Sequence, residues 1–253
     1  MDVIPPSSPP ESPPLRQGTT VSRARARSRA IKAAVVIALA LIAVGILVPN
    51  PYKNQKDKDP FQRLTIGGVR GNTYYNETYG LRLDLPYGWH VASEKEREKM
   101  RSVGENLLYR ERPGARSRAV RARPFTPYLL YVTKYPPSAR SSHNASLILM
   151  GTRADMGRER PKDGRDLLRE VLRTPDMKGA PGEWEVLKTP YEYPLGGRPF
   201  FRADIQWEIQ RQVAKVSFLA WVGDPRILIV VLAWQREGDR AEMEKSLGTM
   251  TFE

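Results

Sequence analysis

The chain has 253 residues, a formal net charge of +13 and no cysteine. Without cysteine there is no disulfide framework, thiolate nucleophile or Cys-ligated metal, and two histidines, His90 and His143, leave little material for a multi-histidine metal site. The charge admits nucleic acid, anionic lipid or an acidic protein as partner and does not choose among them.

Residues 1–30 combine IPPSSPPESPP with Arg16, Arg23, Arg25, Arg27 and Arg29. So little apolar surface cannot offset the entropy of ordering, and the composition predicts a disordered tail. Its proline content would also suit an SH3-like module, which reads the extended PPII form.

Residues 31–48, IKAAVVIALALIAVGILV, are apolar apart from Lys32. At about 1.5 Å per residue the run reaches roughly 27 Å, close to a hydrocarbon core of about 30 Å, and predicts a single transmembrane helix. A cleaved signal peptide would have a shorter apolar region and a small-x-small exit, whereas this run ends in LVPNP. Arginines crowd its N-terminal flank, so the positive-inside rule places the tail in the cytoplasm and the rest of the chain outside it. Residues 49–72 then read as a polar, Gly-containing tether, and 73–253 as one domain large enough for a real core.

Within that domain Leu81-Arg-Leu-Asp-Leu85 alternates as a half-buried strand does. Pro86, Gly88 and Trp89 turn the chain, and Ser93 with Glu96 three residues later makes a capping box for a helix through about Leu108. Tyr128 to Val132 and Ser146 to Met150 read as strands. A helix follows with Leu167, Leu168, Val171 and Leu172 on one face and Asp163 as its N-cap.

Gly196-Gly197 signals a hairpin. Beyond it Phe201, Ala203, Ile205, Trp207 and Ile209 share one strand face, and Arg202, Asp204, Gln206 and Glu208 share the other. Val213 to Trp221 is a further strand, and Gly223-Asp-Pro-Arg226 a turn. Ile227 to Trp234 is apolar on both faces, as a central covered strand is. Asp239 is predicted to cap a last short helix that turns Met243 and Leu247 inward. Hairpin-joined strands with helices between and after them give an α+β domain on a mostly antiparallel β-sheet flanked by helices.

The segment Tyr79-Gly-Leu-Arg-Leu-Asp-Leu-Pro-Tyr-Gly-Trp89 resembles the opening signature of PsbP-like domains. The end of the chain is similar too, with a Gly-containing hairpin, two long strands, a helix and a terminal Leu247-Gly-Thr-Met-Thr-Phe252. The resemblance implies an α-β-α sandwich over about 73–253 and, since such domains mostly dock on larger complexes, a binding rather than catalytic role. The metal-binding histidines and transit peptide of the photosynthetic members are not recognisable here, and no binding residue is carried over.

Arg110, Arg112, Arg116, Arg118, Arg121 and Arg123 lie in RERPGARSRAVRAR and form a candidate loop for an anionic partner, because guanidinium forks match phosphate and carboxylate oxygens. The bland alternative is a solvated charge run. A lone histidine such as His90 is more often a hydrogen-bonding residue than a base, and neither it nor His143 sits in a nucleophile motif. Gly67-Gly-Val-Arg-Gly71 lacks the G-K-[ST] ending of a phosphate loop and suits a linker. Asn76-Glu-Thr78 and Asn144-Ala-Ser146 match glycosylation acceptors, of consequence only in a eukaryotic secretory host.

The sequence therefore predicts a single-pass protein of the inner (plasma) membrane with an extracytoplasmic, non-catalytic binding or assembly domain. It predicts no cofactor and no metal, with the bilayer as partner through 31–48, a protein in or near the membrane as the other, and no nucleic acid. An exported hydrolase is the alternative and would show convergent titratable groups in a cleft. A cytoplasmic basic domain on anionic lipid or nucleic acid is another.

Overall fold

Strand periodicity dictates most of the architecture. A computed structural model describes residues 67–99, 128–139, 144–153, 161–173, 183–209 and 212–253. The predicted membrane helix, the arginine loop of residues 110–123 and His143 lie outside them, and no helix among the described residues is long and apolar enough to cross a membrane.

The described elements are β1 (Gly68–Arg70), β2 (Thr73–Asn76), β3 (Leu81–Asp84), β4 (His90–Val91), β5 (Tyr128–Thr133), β6 (Ser146–Arg153) and α1 (Gly164–Arg173), then β7 (Glu183–Leu195), β8 (Arg198–Ile209), β9 (Gln212–Val222), β10 (Arg226–Trp234), α2 (Glu237–Leu247) and β11 (Thr251–Phe252). A helical turn at 94–99 precedes β5. Seven strands pair in the order β4-β5-β6-β10-β9-β8-β7 and four in the order β1-β2-β3-β11, every pairing being antiparallel.

Alternation along β8 sorts the two cores. Phe201, Ala203, Ile205 and Trp207 join Val216, Phe218 and Ala220 of β9 under Leu167, Leu168 and Val171 of α1. Phe200 faces the other way, joining Leu219, Leu228, Val230 and Leu232 beneath the smaller sheet and Met243 and Leu247 of α2. The α+β expectation is met by this layered arrangement. β10 is buried from Ile227 to Trp234 because strands flank it on both sides and layers cover both of its faces.

Local signals behave as their chemistry requires. The Glu96 carboxylate accepts from the Ser93 N–H and hydroxyl, each at 2.8 Å, and the Glu96 N–H donates back to Ser93 Oγ. Asp163 caps α1 by accepting from the Asp166 N–H at 2.9 Å. Gly196 and Gly197 both hold positive φ in the β7–β8 hairpin, where most L-residues would be strained.

Two expectations are corrected. Asp239 does not cap α2: the N-cap is Arg236, without a side-chain bond, and the Asp239 carboxylate instead accepts from Lys134 Nζ at 2.7 Å. Gly68–Arg70, read as tether, pairs with β2 as a strand. Asn76, of the first Asn-x-Thr motif, is buried, donating to the Tyr74 hydroxyl at 2.9 Å and accepting from the Tyr79 N–H.

Gly164 marks the closest approach of α1 to the sheet, since a Cβ there would lie 2.1 Å from the Ala220 carbonyl oxygen. Gly164→Ala is expected to cost about 1–3 kcal/mol, because neither backbone can yield without unpacking the helix. Gly238→Ala in α2 meets nothing within 4 Å and should stabilise by up to about 1 kcal/mol through helix propensity. Urea unfolding of the two variants checks the contrast.

Candidate functional site

Of the sequence-predicted site residues, the six arginines lie outside the described part of the chain, and the structure places none of them. His90 is described. It sits on the two-residue edge strand β4 with its Nε2 at 3.2 Å from both Glu96 carboxylate oxygens, and both side chains are partly exposed. Burial acts to raise the Glu96 carboxyl, but its bonds from Ser93 and His90 hold it below the ordinary range. The pair ties the helical turn at 94–99 to the sheet edge.

A denser constellation lies on the polar face of β8, beside α2. Arg202 is 3% exposed, and its guanidinium is spent three ways. Nε donates to Asp204 Oδ1 at 2.8 Å, Nη1 to Glu244 Oε1 at 2.6 Å, and Nη2 to Ser217 Oγ at 2.8 Å. Ser217 in turn donates to Asp204 Oδ1. Tyr191 donates to Asp204 Oδ2 and Tyr193 to Glu244 Oε2, each at 3.0 Å.

Register explains the convergence. Asp204 faces Ser217 across β8–β9, Arg202 faces Tyr191 across β7–β8, and α2 lowers Glu244 onto Arg202 from above. The sequence reading put Arg202 and Asp204 on a polar strand face but missed that α2 buries it. It also missed β7, whose Pro190 and Pro194 break the alternation and are tolerated because β7 is an edge strand.

Electrostatics fix the protonation states. Burial alone would raise the Asp204 carboxyl, but the bonds from Ser217 and Arg202, the Arg202 charge and the Tyr191 hydroxyl hold it below its ordinary 3.8. Burial opposes the Arg202 charge, and Asp204 and Glu244 more than restore it, pushing its pKa up. Burial raises the Tyr191 phenol to about 12, so it stays a neutral donor. Ser217 is buried and accepts from the Arg202 guanidinium, and the base its hydroxyl meets, the Asp204 carboxylate, is held low in pKa and is a poor proton acceptor for activating a nucleophile. Chemically the cluster is a brace holding α2 to β7, β8 and β9.

A second brace holds the start of α2. Lys134 of the β5–β6 connection donates to Asp239 and, at 2.8 Å, to Glu242, and Glu242 also accepts from the Trp89 indole N–H at 2.7 Å. No group of three or more His, Asp or Glu among the described residues is placed to hold a metal ion.

No family model and no curated relative matches this sequence. Solved structures do. The fold is similar to that of a cyanobacterial PsbP from Synechocystis sp. PCC 6803, at 12% identity over 74% of this chain and 96% of that one, with a TM-score of 0.45. It is also similar to LpqN of Mycobacterium tuberculosis, a protein involved in cell envelope biogenesis, at 10% identity over 68% of this chain and 82% of that one, with a TM-score of 0.41. The first is a PsbP domain, the family that the Tyr79–Trp89 segment resembles. At such identities the likeness concerns the course of the backbone, and no residue role follows from it.

Proposed function

We propose that the protein is a single-pass, membrane-anchored module whose extracytoplasmic α+β domain binds or assembles a protein partner without catalysing a reaction. The observation carrying the non-catalytic part is the closed Arg202 cluster. The densest convergence of titratable groups among the described residues is used up internally, each charge meeting its opposite and the one hydroxyl of nucleophile type saturated. Anchoring rests on the apolar run of residues 31–48 with its arginine-rich flank. The arginines at 110–123 are the first choice for a partner-facing loop, on chemistry alone.

The full chain is expected to stay in the membrane pellet after carbonate extraction, and a periplasmic reporter fused after Glu253 to be active. Val36→Arg should shift chain into the soluble fraction, because a central arginine costs about 2.5–3.5 kcal/mol of insertion. Unchanged retention of that variant, or a reporter active only in the cytoplasm, overturns the anchor or its orientation. Capture from detergent-solubilised membranes should return a partner that is lost when Arg116, Arg118, Arg121 and Arg123 become Ser. Turnover of a model ester or glycoside by the purified chain would overturn the non-catalytic reading.

A further inference from the structure

The helix α2 has little apolar surface with which to hold the sheet. Its buried residues are Asp239, Met243, Ser246 and Leu247, two of them polar. Its N-cap, Arg236, makes no side-chain capping bond. Behind it Met250 and Phe252 join the same core as Met243 and Leu247, but β11 pairs with β3 at two positions only.

Charge supplies the rest of the hold. All four carboxylates of α2 reach groups outside the helix. Glu237 accepts from Lys215 of β9 at 2.8 Å, and Asp239 from Lys134 of the β5–β6 connection at 2.7 Å. Glu242 accepts from Lys134 at 2.8 Å and from the Trp89 indole at 2.7 Å. Glu244 accepts from Arg202 of β8 at 2.6 Å and from Tyr193 of β7 at 3.0 Å. Asp239 on the helix and Arg202 on the sheet are both buried, so each side encloses an ion that the other side helps to neutralise.

Protonation inverts the charge of this interface. With its carboxylates ionised α2 sets Glu237, Asp239, Glu242 and Glu244 against Arg240 and Lys245, a net charge of −2; with them protonated it carries +2. The cations it meets are Lys134, Arg202 and Lys215. The acidic groups facing it are Asp204, paired to Arg202, and Asp84 of β3, beside Arg82. Tyr191 and Tyr193, raised by burial, stay neutral donors. Acid therefore turns an attractive contact into one between like charges. The bonds from Lys134 and Trp89 hold the Glu242 carboxyl below its ordinary range, and the bond from Lys215 does the same for Glu237. Their contribution is present above about pH 5 and is lost as pH falls through the folded values, below about 4.

We propose that α2 is an acid-released latch, which together with β11 lets go of the domain while β5, β6, β8, β9 and β10 stay paired. The strands are held to one another by ladder hydrogen bonds and apolar side chains, neither of which titrates, whereas the hold on α2 does. Elements held by different forces open separately. Gln235 and Arg236, between the end of β10 and the first turn of α2, form the hinge. Release opens the core that Met243 and Leu247 share with Leu228, Leu232 and Trp234. The latch requires neither the anchor nor the partner proposed above.

The test follows amide hydrogen exchange in the full chain in detergent at pH 7 and pH 3.5, each rate taken relative to the intrinsic rate at that pH. Between the two, protection of residues 239–252 should fall about tenfold or more further than that of residues 227–234. At pH 7, Asp239→Asn with Glu242→Gln and Glu244→Gln should reproduce that loss. Glu94→Gln with Glu170→Gln, at exposed positions elsewhere, should leave α2 protected. Protection that falls equally in α2 and β10, an α2 still protected at pH 3.5, or equal loss in the two carboxamide variants overturns the proposal. If the triple variant does not fold, the native chain at pH 3.5 decides it.

Discussion

Replacing Trp207 by alanine is expected to lower the stability of the domain by about 3–5 kcal/mol, the range for truncating a buried tryptophan. The indole is 0% exposed and lies in the core formed by Phe201, Ala203, Ile205 and the β9 residues under α1. Its cross-strand neighbours are Trp184 on β7 and Ala214 on β9. Ala214 is too small to move into the vacated space, and β7 can close over it only by abandoning its register, so a cavity remains. For a domain of this size the loss corresponds to a fall in Tm of roughly 6–20 °C. Trp184→Ala, at a half-buried edge position, should cost distinctly less. Urea unfolding of the full chain in detergent measures both, and a Trp207→Ala loss under about 1 kcal/mol would mean that this core does not govern the transition.

The reason this prediction was accessible from sequence is the period of β8. Residues 201–207 alternate without a fault, and strict alternation fixes both the strand and the face it buries. The same holds for Leu81–Asp84, and Ile227–Trp234 announces a covered strand by having no polar face at all. Where the reading failed, the signal was tertiary. β7 carries two prolines and two register shifts, and only its place at the sheet edge makes those tolerable.

Asp239 looked like a cap because aspartate is common there, but Lys134, 105 positions away along the chain, claims its carboxylate. The Arg202 cluster was half legible for a similar reason. The sequence places Arg202 and Asp204 on one face of a strand, and nothing local shows that Glu244, 42 positions later, will descend on them. The Arg198 setting was not legible at all, since Tyr79, Trp221 and Phe252 reach it from three separate stretches of chain.

Arg202 and Arg198 lie on one strand face in different settings. Arg202 is neutralised by Asp204 and Glu244 and holds α2 in place, whereas Arg198 rests against the Trp221 and Phe252 rings and donates to the Tyr79 carbonyl. Burial decides between the roles: a guanidinium as enclosed as Arg202 persists only with counter-charges, while a half-exposed one such as Arg198 is carried partly by water and aromatic faces.

Arg202→Met should accordingly cost about 3–5 kcal/mol at pH 7, because removing one partner of a buried charge network strands the others. Asp204 and Glu244 would be left facing each other without the cation, Ser217 would lose a donor, and α2 would lose its hold on β8. Replacing Arg202, Asp204 and Glu244 together by Met, Leu and Leu should be far milder, since an apolar substitute of similar volume leaves no unpaired charge.

The acid dependence separates this from loss of packing alone. In the native chain the Asp204 carboxyl is held below its ordinary 3.8, so as pH falls the unfolded state takes up the proton first. The stability that Asp204 contributes is therefore fully present above about pH 5 and is lost as pH falls through its folded value. In Arg202→Met the cation that holds the carboxyl low is gone, and burial raises it instead. The variant's deficit should then be greatest near neutrality and shrink as pH falls from about 5 toward 3. Unfolding curves across that range decide the matter, and a deficit that stays constant with pH would mean that Arg202 stabilises the domain through packing of its stem rather than its charge.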